Sequence, residues 1–207
     1  MTKLYDALKA SYGKNEGIRQ LEKDGYKRDN QLSNHNQQIY YNQKNHTLLN
    51  TIAGTHNLKD WGTDLYLGFG KLKDTNRYKE AKSVLEKAKR KYEPKETKVS
   101  GHSLGSTIAQ YVSSKNDKVY TLDGGTTLFQ KSRPNAINYR ARGDVVSLLG
   151  LNQKHTKNLD NGNLITRNKG KIIGTALGGP LGFVAGTVYD AIDAHNLDKI
   201  KNKDIFI

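Results

Sequence analysis

Five residues limit the folds open to this chain more than any others: Gly101-His102-Ser103-Leu104-Gly105. The pattern G-x-S-x-G has a mechanical reading, in which a strand ends, the backbone turns sharply, and a helix begins with a serine hydroxyl exposed at the bend. Glycine is needed on either side because side chains there would collide as the backbone closes around the serine. The flanks agree. Residues 97–100 have a β-branched centre and predict a short buried strand end. Residues 105–114 place Ile108, Ala109 and Val112 on one stripe, as a helix with one buried face would. The start of that helix brings backbone N–H groups beside the serine, where an oxyanion would form.

The rest of the chain reads as alternating helices and strands around this bend. A helix over 2–12 aligns Leu4, Ala7, Leu8 and Tyr12, and a shorter one over 16–23 turns Ile18 and Leu21 inward. Residues 37–42 and 47–53 read as two strands joined through Gln43-Lys44-Asn45 into a hairpin, ended by Gly54. Residues 77–92 form the clearest helix, with Ala81, Val84, Leu85, Ala88 and Tyr92 on one face and charges on the other, closed by Pro94. Strands over 117–122 and 136–141 follow the serine helix, stopping at Gly124-Gly125 and Gly143-Asp144. Strands alternating with helices, over connections too long for hairpins, predict an α/β fold: a mostly parallel sheet flanked by helices, with a helical and hairpin lead-in. The 207 residues suit a single domain. Residues 171–189 carry no charge beyond Lys171 and are interrupted by Gly178-Gly179-Pro180. A membrane-spanning helix needs about 20 apolar residues, so the break predicts an apolar hairpin that packs on the body or dips into a bilayer interface.

Charge narrows the partners. Thirty-four lysines and arginines against twenty acidic residues give a net charge of +14, a field that favours anionic partners. There is no zinc-finger spacing and no aromatic RNA-binding motif, and the basic residues are scattered. An acidic membrane surface is therefore preferred over nucleic acid. Without cysteine the chain has neither disulfides nor thiolate metal ligands, which fits a reducing compartment. The N-terminal residues lack the apolar stretch of a signal peptide, so a non-secreted, cytoplasmic setting is expected.

A serine hydroxyl needs a base, usually histidine, itself oriented by a carboxylate. With this kind of bend the acid follows a later strand and the histidine comes after it. Asp144, just past the strand over 136–141, suits the acid, whereas Asp123, followed by Gly124-Gly125, reads as a turn residue. Two histidines follow Asp144. His155 lies in a polar, lysine-flanked loop, while His195 follows the apolar segment, where a dry and oriented base is more readily held. His195 is thus favoured over His155. His102 points away from the serine in this geometry and packs beneath it. His35, His46 and His56 are scattered without metal-ligand spacing, and no metal or cofactor is expected. One oxyanion donor is the backbone N–H of Leu104, and the second should come from the loop at Ala53-Gly54-Thr55.

The segment from Ala53 to Leu65 resembles part of the class 3 (fungal-type) lipases, an α/β-hydrolase family in which an R-G-S/T loop leads into a tryptophan-bearing lid. The bend around Ser103, the strand Val119-Tyr120-Thr121-Leu122 and the stretch from Tyr139 to Val146 are similar to that family's elbow, following strand and acid-bearing segment. The resemblance implies Thr55 as the oxyanion residue, Leu58 and Trp61 in the lid, Asp144 as acid and a C-terminal histidine, His195, as base. It also implies a lipid ester as substrate, and the net charge tilts this towards anionic phospholipid. Ala53 stands where the family has arginine, Ser106 where glycine is commoner, and Leu122-Asp123-Gly124-Gly125 replaces an F-G-x-P turn. Small, basic, cysteine-free versions resemble lipase-like proteins of large DNA viruses, which implies a cytoplasmic or virion-associated protein. Two rival functions fit the same residues: a membrane-perturbing or virion protein working through residues 171–189, and a soluble esterase or thioesterase in which Trp61 is core.

Overall fold

The computed structural model describes residues 1–55, 72–124, 133–141, 155–159 and 196–207. Within them, helices α1 (Leu4–Ser11) and α2 (Asn15–Lys23) lead into strands β1 (Lys27–Arg28), β2 (Gln37–Asn42) and β3 (Thr47–Ile52). Helix α3 (Asn76–Tyr92), strand β4 (Glu96–His102) and helix α4 (Leu104–Val112) follow, then strands β5 (Lys118–Leu122), β6 (Ala136–Ala141) and β7 (Thr156–Leu159). Short 3-10 turns span Leu72–Asp74 and Leu197–Ile200. Among the described residues the strands make one seven-stranded sheet in sequence order. β1, β2 and β3 pair antiparallel, and every pairing from β3 to β7 is parallel.

The two-residue period of the strands decides which layer covers which face. Tyr40 of β2 and Leu49 of β3 join the cluster built by α1, α2 and the C-terminal turn around Leu197 and Ile200. Ile39, Leu48 and Ile52 turn the other way, towards Tyr78, Ala81, Leu85 and Ala88 of α3 and Ile108 and Ala109 of α4. Helices therefore cover both faces. A chain only 35% hydrophobic fills this interior by pairing its polar residues. Gln37 Nε2 donates to Asn50 Oδ1 at 3.0 Å, Thr51 Oγ1 to the Ala7 carbonyl at 2.7 Å, and Thr121 Oγ1 to Asn138 Oδ1 at 2.6 Å. Such bonds offset the cost of taking polar groups out of water. The two ends of the chain are tied together: the Leu4 amide donates to the Ile205 carbonyl at 2.8 Å and the Ile207 amide to Thr2 at 2.9 Å.

Asp29 joins the lead-in to the end of α3. Its buried carboxylate accepts from Lys91 Nζ at 2.6 Å, Tyr92 Oη at 2.8 Å and the amides of Gln31 and Leu32 at 3.0 and 3.1 Å. Burial pushes this carboxyl up, but the four hydrogen bonds outweigh burial and hold it below the ordinary aspartate value. A folded-state value lower than the unfolded one gives stability that is present above the unfolded pKa and is lost as pH falls through the folded one. Asp29→Asn should therefore cost about 1.5–3 kcal/mol at neutral pH, the scale of a hydrogen bond to a charged group. The difference from wild type should shrink on acidification below the normal aspartate range. Denaturant unfolding at pH 7 and at pH 3 would check this, and a gap that does not narrow with acid would rule out the carboxylate as the source.

The expected elements from 2 to 141 recur with ends shifted by at most two residues. Two strands were not anticipated. β1 is only two residues long, and β7 occupies a stretch that reads as polar loop because its side chains are exposed or half-buried and carry no alternation. Asp144, His195, Leu58, Trp61 and the apolar segment over 171–189 lie outside the described residues. Among the described residues, no helix is long and apolar enough to cross a membrane.

Candidate active site

The predicted bend is present. β4 ends at His102, α4 begins at Leu104, and Ser103 between them has φ 56° and ψ −127°. A non-glycine residue there is strained, at a cost of order 1–3 kcal/mol that the surroundings must impose. They do so on both sides of the serine. The Ser103 amide donates to the Leu122 carbonyl at the end of β5 at 3.0 Å, and the Ser103 carbonyl accepts from Ser106 at 2.9 Å. Gly105 lies so close to β3 that an added Cβ would sit 2.3 Å from the Ile52 carbonyl, and one on Gly101 would sit 2.3 Å from the Gly105 carbonyl. Ser106 also has a use of its own: its hydroxyl lies 2.7 Å from the Gly101 carbonyl and 2.8 Å from that of Leu122, linking β4 to β5.

Ser103 differs from expectation in being only 2% exposed. The loop leaving β3 is one reason. A Cβ on Gly54 would lie 2.8 Å from Ser103 Cβ, so only a bare backbone passes this close to the serine. Two distant side chains hold that loop. Tyr12 Oη accepts the Gly54 N–H at 2.8 Å and is hydrogen-bonded to His102 Nδ1 at 2.7 Å, with the imidazole tautomer setting which of the two donates. Burial pushes the Tyr12 hydroxyl up to about 12, so it stays neutral and able to donate. On the other side, Arg77 Nη2 donates to the carbonyls of Ala53 and Gly54 at 2.5 and 2.8 Å. Neither Tyr12 nor Arg77 stands out in the sequence, because no local motif connects either of them to the loop.

The remaining expected residues fall as follows. Leu104 is the first residue of α4, so its amide adjoins Ser103 at the helix N-terminus. Half-buried Thr55 is next to Gly54 on the loop against Ser103. His102 is buried beneath the bend, where it meets Tyr12 edge to face with 5.8 Å between ring centroids. Asp123 is a buried turn residue with φ 48° whose amide donates to the Tyr139 carbonyl at 2.9 Å. His155 is exposed, at the start of β7.

The sequence matches no protein-family model and no curated protein. The three-dimensional arrangement does have counterparts. A lipase from Yarrowia lipolytica superposes with a TM-score of 0.55 over 77% of each chain, at 14% identity. The chain has the α/β-hydrolase fold. An MDLA variant from Penicillium cyclopium gives a TM-score of 0.47 at 16% identity, over 79% of this chain and 78% of that one. A triacylglycerol lipase from Penicillium expansum gives 0.42 at 14% identity, over 76% and 79%. In this α/β-hydrolase fold, the carboxyl ends of β3, β4 and β5 meet around Ser103, as the contacts of Gly54, Gly105 and Leu122 require.

Proposed function

We propose that this α/β-hydrolase is a serine lipase or esterase that cleaves carboxylic esters of lipids through an acyl-enzyme. One observation carries the reading: the strained backbone of Ser103, imposed by hydrogen bonds and close contacts from two neighbouring strands and a helix. Strain of that kind holds a hydroxyl in one direction at a reacting centre. In the proposed reaction His195 takes the hydroxyl proton while Ser103 Oγ bonds to the ester carbon, and Asp144 holds the imidazole ring in the productive tautomer. The N–H groups of Leu104 and Thr55 receive the negative oxygen. Collapse expels the alcohol, which takes the proton back from His195, and water then releases the acid by the same route. This chemistry asks for no metal or cofactor.

The similarity to solved lipases supports the lipid ester as substrate, and Leu58 and Trp61 are the proposed lid residues. The net charge of +14 supports an anionic membrane as the place of action and phospholipid as the ester, in a cytoplasmic or virion-associated setting. Fatty-acid release from phosphatidylserine vesicles should exceed that from phosphatidylcholine vesicles at low salt, and the gap should close as salt screens the surface. A fluorophosphonate probe should label the protein once, at Ser103. Turnover of short-chain esters with none of vesicles would leave a soluble esterase. Vesicle leakage with no hydrolysis and no labelling would sink the enzyme reading.

A further inference from the structure

Arg77 sits where two physical effects oppose a cation. Thr75 caps α3 by accepting the Tyr78 amide, which puts Arg77 in the first helical turn, beside the positive end of the helix dipole. The side chain is also largely removed from water, and that burial pushes its guanidinium below the usual arginine value. Among the described residues no carboxylate forms an ion pair with it. Its partners are instead two consecutive backbone carbonyls, Ala53 and Gly54, on the loop against Ser103.

We infer that Arg77 is a positioning residue for the oxyanion hole, fixing the direction of the Thr55 N–H through the Gly54 carbonyl. The inference rests on the hydrolase reading above. A peptide unit is planar and trans, so its C=O and N–H point in opposite directions. The Gly54 carbonyl and the Thr55 N–H belong to one such unit. Holding the carbonyl on Arg77 aims the N–H away from Arg77 and prevents the unit from flipping. The preceding unit is held at both ends, its carbonyl by Arg77 and its Gly54 N–H by Tyr12. The loop is then locked against rotation next to the serine. A cation on a carbonyl also draws electron density from the amide and strengthens its N–H as a donor. This is what a developing oxyanion needs from a group that must not reorganise during the reaction.

The test is the steady-state kinetics of Arg77→Ala and Arg77→Lys with a soluble short-chain ester, with thermal unfolding followed in parallel. Loss of one oxyanion donor costs about 10²–10³ in kcat, so a misdirected one should cost roughly 10- to 100-fold. KM should stay within about twofold, because the lost interaction is made in the transition state. Arg77→Lys should fall between wild type and alanine. Millimolar guanidinium should restore part of the alanine variant's kcat, which it would not do if Arg77 only packed. If Arg77→Ala does not fold, Arg77→Lys decides: lowered kcat at unchanged KM supports the inference, and wild-type kcat overturns it. An equal loss spread over kcat and KM with no rescue also overturns it. The hydrolase reading is judged separately on the wild-type protein, by turnover and by probe labelling of Ser103. If both are absent, that reading fails and takes this inference with it. If both are present while Arg77→Ala keeps full kcat, only this inference fails.

Discussion

Ser103→Ala should lower ester hydrolysis by about 10⁴- to 10⁶-fold, the scale on which removal of a triad nucleophile acts in other serine hydrolases. The fold should survive. Alanine keeps the Cβ that the bend already accommodates at φ 56°, and the contacts imposing the bend come from backbone atoms of Ser103 and its neighbours. The unfolding midpoint should therefore stay within a few degrees of wild type, on the scale of about 2–4 °C per kcal/mol for a chain this long. Fluorophosphonate labelling should vanish together with turnover. The residual rate should remain above that of water, because the proposed oxyanion donors at Leu104 and Thr55 are untouched by the substitution. A variant that loses activity by unfolding would show a collapsed midpoint and would say nothing about chemistry. Undiminished turnover in a folded variant would exclude Ser103 as nucleophile.

What could be read from the sequence was whatever local sterics or periodicity enforce. The G-x-S-x-G bend was legible because its glycines answer contacts made within the turn itself and with the strand beside it. β2 and β6 were placed correctly to the residue because each carries apolar positions bounded by turn residues. α3 was legible from its stripe of Ala81, Leu85 and Ala88, all buried against the sheet. β7 escaped because it lies at the end of the described sheet with few apolar contacts, and its pairing with β6 needs no pattern in its side chains. The clamp on the loop at Gly54 escaped for a different reason. Tyr12 is 42 positions from Gly54 and 90 from His102, and Arg77 is 24 from Ala53. Tyr12 reads as the last apolar residue of a helix face and Arg77 as one of many surface cations. Only the folding of α1 and the start of α3 onto the same loop gives these two side chains a role.

His195→Ala should match Ser103→Ala in severity, and the double variant should be no worse than either, because groups acting as one unit are not additive. His155→Ala should keep most activity. The geometry around the competing histidine motivates this contrast. β7 is three steps across the sheet from β4, and strands are spaced by about 4.8 Å, so His155 is displaced sideways from the serine strand by roughly 14 Å. It is also set back along the strands. Thr156 pairs with Asn138, Asn138 with Thr121, and Thr121 with Gly101, which places His155 level with Ser100 rather than Ser103. A base must come within about 3 Å of the serine oxygen, and an exposed imidazole at that position cannot do so. The C-terminal alternative is His195. Two residues after it, Leu197 is buried in the cluster that contains Leu122, whose carbonyl accepts the Ser103 amide. The turn that follows His195 is anchored against α1, where Tyr5 Oη donates to Asp198 at 2.9 Å. The pH–rate profile gives a second check: wild type should lose kcat/KM as an imidazole is protonated on acidification, and His155→Ala should keep that limb unchanged. If His155→Ala is the inactive variant and His195→Ala retains turnover, the base is delivered ahead of residues 171–189 and the C-terminal assignment fails.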